Sequence, residues 1–388
     1  MKSSVGDGIN DSHDNSTPRI LHVFGGLLHG GAEALVMNYY RHIDTSSMQF
    51  DFIVHTPVVG VYEAEILSRG GRIFRAPAYT GRNHFQYRAW WKSFLDEHPE
   101  HHIVHFHIRG SSAIAIPLAK RAGRVTIIHS HSISNGKSLT AAIKNIFQLS
   151  LRRDADYLFA CSEAAGRWLF GRKAMESGHV QVWKNAIDLS AYEFSPKVRE
   201  EYRKEYGEDA FIVGHVGRFV EAKNHRFLLE IFKEIVERKP NALLLLVGDG
   251  PLFEQIQERA LALGIEQSVR FLGARSDVPQ LLQAMDVFLF PSKFEGLGIV
   301  AIEAQAAGLA CFASTSVPQD IGITDLVQFI GLDAEPKSWA TSVLESDLRR
   351  REEDTREALQ KAGYDITQST EQLCEFYSHL DADHHTLR

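Results

Sequence analysis

Residues 19–42 read Arg19-Ile-Leu-His-Val-Phe24, then Gly25-Gly26-Leu-Leu-His29-Gly30-Gly31, then Ala32-Glu-Ala-Leu-Val-Met-Asn-Tyr-Tyr-Arg-His42. A short apolar run, a glycine loop and a helical pattern over 32–42 form the opening unit of a doubly wound sheet. Further short apolar runs follow at 50–55, 103–107, 126–129 and 157–161, separated by helical stretches. Alternating β and α units imply a parallel sheet with helices on both faces. The pattern restarts at Ala210-Phe-Ile-Val-Gly-His-Val-Gly217. A helix is expected over 227–238, with strands at 242–247, 269–272, 287–290 and 310–313. The charged stretch 188–207, which contains Pro196, reads as the linker.

The expected fold class is therefore α/β, with two Rossmann-like domains whose parallel sheets face a cleft. Residues 1–17 read as a disordered leader. Residues 18–187 form the first domain and 188–360 the second. Residues 361–388 supply a C-terminal helix returning to the first domain and a tail, with 381–388 expected to be disordered. Ligands in such sheets sit beyond the carboxyl ends of the strands.

The chain has 388 residues, 44% of them hydrophobic, enough for two cores. A net charge of -7 excludes a general nucleic-acid binder, which carries a basic surface. Cys161, Cys311 and Cys374 form no CxxC pair, so neither a zinc motif nor a disulfide framework is expected, and a cytoplasmic setting fits. No apolar run reaches the length of a membrane-spanning helix.

The stretch richest in chemistry is Phe290-Pro-Ser-Lys-Phe-Glu295-Gly296-Leu-Gly298-Ile299-Val300-Ala-Ile-Glu303-Ala-Gln-Ala-Ala-Gly308. A strand ends at Phe290, two glycines allow close backbone approach, and a helix runs towards Gly308, a suitable C-terminal cap. The open amides of a helix N-terminus suit a phosphate. Carboxylates on either side accept hydrogen bonds from sugar hydroxyls.

Here the chain resembles the retaining glycosyltransferases of family 4, which have the GT-B fold. Glu295 and Glu303 in the setting F-E-G-L-G-I-V-A-I-E-A match that family's E-x7-E motif. The resemblance runs from Arg19 to about Ala340. It implies that Glu295 meets the donor sugar, Glu303 the ribose, and the amides of Gly298, Ile299 and Val300 the diphosphate. Arg218 and Lys223 match the family's G-R-x-x-x-x-K pattern and would stabilise the leaving diphosphate. Gly30 and Gly31, before the first helix, would meet the donor from the other domain. Arg275, in Arg275-Ser276-Asp277, resembles the segment beside the nucleobase, although Ser276 or Asp277 also suits a helix N-cap.

Ile127-Ile-His129-Ser-His131 ends a strand in the first domain, and the family carries a histidine near the donor sugar there. His131 is preferred and His129 competes. The HxH pairs at 105–107 and 129–131 raise metal binding, but spacing shows no third ligand, so no metal is expected. No cofactor is expected beyond the nucleotide diphosphate sugar itself, read as UDP-linked. Asp154-Ala-Asp156 reads as a helix-to-strand turn, Gly248-Asp-Gly250 lacks the third glycine of a dinucleotide loop, and Cys161 has no partner base.

The resemblance includes enzymes of exopolysaccharide and capsule assembly, which implies a glycan or lipid-linked acceptor. Two basic-aromatic stretches, 137–153 and the set Arg82, Arg88, Trp90, Trp91 and Lys92, are read as candidates for peripheral contact with an anionic membrane at the inner face of the plasma membrane. A nucleotide-sugar epimerase and a non-catalytic sugar-nucleotide-binding protein share the architecture. The seven-residue glutamate spacing favours transfer.

Overall fold

The computed structural model describes residues 17–28, 30–131, 150–346 and 355–386. The first domain holds β1 (Arg19–Phe24), β2 (Gln49–Val54), β3 (Ile73–Arg75), β4 (Ile103–Phe106), β5 (Val125–Ser130), β6 (Tyr157–Ala160) and β7 (Val180–Val182). They form one sheet in the order β3-β2-β1-β4-β5-β6-β7. The second domain holds β8 (Phe211–Val216), β9 (Ala242–Val247), β10 (Val269–Gly273), β11 (Val287–Phe290), β12 (Ala310–Ser314) and β13 (Val327–Ile330), in the order β10-β9-β8-β11-β12-β13. All pairings between these strands are parallel.

Side chains alternate across each strand, so both faces of each sheet are cored. In β1, Leu21 and Val23 join one cluster while Ile20 and Phe24 join the cluster on the other face. Strand order reverses between β1 and β4 and again between β8 and β11. Such switch points open a crevice where loops diverge to opposite faces. Nearly all the sequence-nominated site residues fall on loops or helix starts at the carboxyl ends of β1, β5, β8, β10 and β11.

The segment 188–207 is more structured than a bare linker. Asp188 caps a short helix, Leu189–Tyr192, and Ser195 caps a longer one, Pro196–Tyr206, with Pro196 in the first turn. Arg199 and Arg203 from that helix both pair with Asp286, which also accepts from the Ile212 amide at 2.7 Å. The charges that mark the segment as solvated in sequence fasten it to the second sheet.

The C-terminal helix, Ile366–Thr386, packs on the first domain. Tyr39 and Ser369 hydroxyls lie 2.7 Å apart, and the Tyr377 hydroxyl sits 2.6 Å from His105 Nδ1. The expectation of disorder from residue 381 is overturned for 381–386. These residues are helical, with Asp381 2.7 Å from His102 and His384 Nε2 2.8 Å from the Gly123 carbonyl oxygen. Tertiary partners hold a tail whose own composition is polar.

Of the basic-aromatic set, Trp91 is wholly buried and Trp90 stacks on Phe94, so Trp91 is a core residue. A helix presenting its apolar side to its own sheet explains the pattern. Of the second stretch, residues 137–149 lie outside the described residues. Among the described residues no helix is long and apolar enough to cross a membrane.

Candidate active site

In the second domain, β11 is fully buried and delivers the chain to the loop carrying Glu295. Gly298 turns that loop into helix Ile299–Ala306 with φ 85°. A side chain there would be strained by the backbone, and its Cβ would lie 3.0 Å from the Phe290 ring. No side chain caps the helix. The first amides of a helix have no intrahelical partner, so those of Ile299 and Val300 remain for a ligand.

The loop after β8 is fastened to the Glu295 loop. The Lys293 amide donates to the Ala222 carbonyl at 2.7 Å, and Asn224 Nδ2 donates to the Pro291 carbonyl at 3.1 Å. Those bonds hold the turn Glu221–Lys223 in place and bring Lys223 Nζ to 2.7 Å from Glu295 Oε1. The two side chains are only 18% and 10% exposed, so this is a largely desolvated ion pair. Arg218 is exposed, and among the described residues its side chain makes no hydrogen bond or ion pair, while its carbonyl accepts from the Val220 amide at 2.8 Å. Gly248 is glycine because the loops after β8 and β9 touch: a Cβ there would fall 2.2 Å from the Gly217 carbonyl oxygen.

Glu303 lies one helical turn further in. The Tyr192 hydroxyl donates to it, and Lys223 lies close enough to favour its charge. Burial outweighs both and pushes its carboxyl up to about 7. Sequence reading did not find Tyr192, which comes from the inter-domain segment and carries no motif. Asp277 occupies the N-cap position of helix Val278–Ala284, but its side chain does not cap it. Both carboxylate oxygens go instead to Arg275, at 2.8 and 2.6 Å.

In the first domain, Gly30 is the N-cap and Gly31 the first residue of a helix, Gly31–His42, that also lacks a side-chain cap. His29 lies outside the described residues. Gly31 lines a pocket of about 380 Å³ with Glu33, His107, Arg109, His129 and His131. Both nominated histidines therefore reach it. They belong to a larger group on one face of three neighbouring strands. His22 Nδ1 lies 3.0 Å from His107 Nε2, His107 Nδ1 lies 2.7 Å from His131 Nε2, and the His129 and His131 rings stack at 4.0 Å. Burial lowers all of these imidazoles, His131 and His22 to about 3, so they are neutral at physiological pH. The third imidazole that spacing did not show comes from the adjacent strand. Two triads, His22–His105–His107 and His107–His129–His131, have ring nitrogens within 4.8 Å of one another.

The discounted features stay discounted. Asp156 accepts from the Thr126 amide and hydroxyl at 2.9 and 2.7 Å at the foot of β6. Burial pushes the Cys161 thiol up to about 11, far from a reactive thiolate.

Residues 29–191 match the family model Glycosyltransferase Family 4, and residues 198–365 match Glycosyl transferases group 1. The putative glycosyltransferase EpsF of Bacillus subtilis (strain 168) is 35% identical over 377 residues, covering 94% of this chain and 97% of the relative. An Escherichia coli UDP-Gal:alpha-D-GlcNAc-diphosphoundecaprenol alpha-1,3-galactosyltransferase is 25% identical over 223 residues, 55% of this chain and 57% of that protein. The fold is similar to that of Anabaena Alr3699/HepE in complex with UDP, with TM-score 0.75, 19% identity and coverage of 94% of this chain and 100% of that one. Both halves are matched in order, and one relative is matched over nearly its whole length: the chain belongs to glycosyltransferase family 4 and is a glycosyltransferase of the GT-B fold.

Proposed function

We propose that the chain is a retaining glycosyltransferase that takes a UDP-linked sugar and passes the sugar to a glycan or lipid-linked acceptor in extracellular polysaccharide assembly. The observation that carries this reading is the desolvated Lys223–Glu295 pair beside the uncapped helix at Ile299. A diphosphate seated on the Ile299 and Val300 amides places its sugar against Glu295 and its ribose against Glu303. As the bond from the anomeric carbon to the diphosphate oxygen breaks, negative charge grows on that oxygen. Lys223, Arg218 and the amides stabilise it more than they stabilise the ground state. The acceptor hydroxyl adds to the same face of the oxocarbenium-like sugar and gives its proton to the departing diphosphate. His131, with His129 behind it, and the Gly30–Gly31 helix start contact the donor from the first domain. Arg275 borders the base.

In this scheme cations and amides fill the place of a metal, and no cofactor is required. The solved relative with UDP and the diphosphoundecaprenol-linked substrate of the E. coli relative support the choice of donor and acceptor classes. Work in the cytoplasm, at the inner face of the plasma membrane, fits such an acceptor and the three unpaired cysteines. UDP is expected to raise the melting temperature of the full chain more than GDP or ADP at equal concentration. Transfer in the presence of acceptor should give a product with the donor's anomeric configuration by NMR. An inverted product would sink retention, and release of a 2-epimerised sugar nucleotide without acceptor would replace transfer with epimerisation.

Glu303 makes donor binding pH-dependent. Its carboxyl is raised from about 4.5 in the unfolded chain to about 7. Its effect on stability is therefore most favourable below the unfolded value and is lost as pH rises through about 7. Ribose hydroxyls donate to the ionised form, so UDP binding runs the other way and strengthens as pH rises. Affinity measured by calorimetry should fall about tenfold between pH 8 and pH 6. Glu303→Gln should flatten that dependence. An equally steep profile in the variant assigns it to the phosphate instead.

A further inference from the structure

Five neutral imidazoles on three adjacent strands are costly to bury, and among the described residues four of their ring nitrogens have no partner: His22 Nε2, His105 Nε2, His129 Nε2 and His131 Nδ1. A buried polar atom without a partner is destabilising. Their placement follows from strand geometry. His105 and His107, and likewise His129 and His131, are two residues apart, so each pair shares one face of the sheet. The register sets His22 opposite His105.

We propose that His107, His129 and His131 form a binding site for a borderline divalent cation of the zinc, cobalt and nickel class. Their ligand nitrogens lie within 4.8 Å of one another. A tetrahedral ion with metal–nitrogen bonds of about 2.0 Å needs nitrogens about 3.3 Å apart. Small ring rotations that open the 2.7 Å His107–His131 contact reach that spacing. Three imidazoles without a carboxylate select this class over magnesium or calcium.

This triad is favoured over the neighbouring one by access. All three of its histidines line the 380 Å³ pocket, which leaves a fourth position for water. The cavity beside His22 and His105 is walled by Leu35, Val36 and Leu373, and the His105 Nδ1 atom is held by Tyr377. Glu33 and Arg109 border the pocket with opposite charges. A third group, His98, Glu100 and His101, is committed elsewhere: His101 contacts Asp51 at 2.8 Å and Glu100 pairs with Arg72 at 2.9 Å. The site stands independently of the proposed reaction. A consequence rests on that reading: a cation that holds His131 withdraws it from the donor sugar, so metal and UDP-sugar compete.

The test uses untagged, metal-free full-length protein titrated with Co²⁺. One equivalent should produce the intense visible absorption of tetrahedral Co²⁺ and raise the melting temperature, while Mg²⁺ does neither. His129→Gln and His131→Gln should each lose the absorption, and His105→Gln should keep it. His131 is only partly buried, so its variant remains informative if the His129 variant fails to fold. A wild-type protein with no absorption and no thermal shift overturns the site. Loss in His105→Gln with retention in the other two moves the ion to the other triad and also overturns it. A saturating UDP-sugar that leaves the Co²⁺ spectrum unchanged overturns the competition alone.

Discussion

Glu295→Ala is expected to lower kcat by about a thousandfold while leaving UDP affinity equal to or above that of the parent. In the free protein Lys223 is neutralised by Glu295 at 2.7 Å, with both side chains largely out of water. In the proposed scheme, donor binding inserts a diphosphate and a sugar into that pair and divides its two charges between them. Removing Glu295 takes away the carboxylate for the sugar hydroxyls, and positioning errors at a reacting centre cost orders of magnitude. It also frees Lys223 for the diphosphate, so binding of UDP, which has no sugar, gains. Lys223→Ala should lose both UDP affinity and kcat, the latter by about a hundredfold or more. The double variant should fall well short of the product of the single losses, because the two groups act as a unit. The variants also break a largely buried pair, at about 3 kcal/mol of stability, so melting curves must accompany the kinetics. If Glu295→Ala weakens UDP as much as Lys223→Ala does, the division of roles is wrong.

What could be read before the structure, and what could not, follows from the kind of signal each residue leaves. Strands β9 and β11 are buried on both faces and so stand out as unbroken apolar runs, and β1 and β8 as apolar runs interrupted by His22 and by Gly214-His215. Three of the four edge strands, β3, β7 and β13, are three or four residues long and partly exposed, and they leave no such run. Glu295, Glu303 and Lys223 are legible because each sits at a short, fixed distance from glycines and a helix start. Tyr192 reaches Glu303 across more than a hundred intervening residues and is invisible to any local pattern. The histidines are an intermediate case. Each HxH pair is visible, but the neighbour that makes a triad depends on strand order, and β4 lies between β1 and β5 only because the sheet reverses there. Arg109 stacks on Trp168 at 4.4 Å for the same non-local reason. Charge runs misled twice, in the same direction. The 188–207 stretch and the tail past 381 look solvated, yet their ions meet partners on distant elements.

Asp51→Ala is expected to be strongly destabilising to the first domain, with no direct effect on donor contacts. Asp51 stands on β2 at 0% exposure, at the amino end of the sheet and away from the pocket. Its carboxylate takes Arg19 at 2.6 Å, Arg72 at 2.6 Å, His101 at 2.8 Å and the Arg72 amide at 2.8 Å. Burial alone would raise its pKa, but the hydrogen bonds from Arg19, His101 and Arg72 outweigh it and hold the carboxyl far below the ordinary range. The sign follows directly: a depressed carboxyl contributes stability above its unfolded value near 4 and loses that contribution only as pH falls towards the folded value. Removing it takes the shared carboxylate from two guanidinium groups and a buried imidazole, although Arg72 keeps Glu100 at 2.9 Å and Arg19 keeps the Gly70 carbonyl at 3.1 Å. Arg19 and Arg72 keep 22% and 39% exposure and recover part of the loss from water. The expected cost is therefore near the lower end for a broken buried pair, about 3 kcal/mol, or roughly 6–12 °C in the melting of a domain this size. Asp51→Asn keeps the shape and a partial acceptor and should cost less, which separates charge from packing. Both variants should retain parental UDP affinity by calorimetry below their melting points. A shift under about 2 °C for Asp51→Ala would mean that the two arginines find full compensation in solvent, and that the first sheet is held by its apolar faces alone.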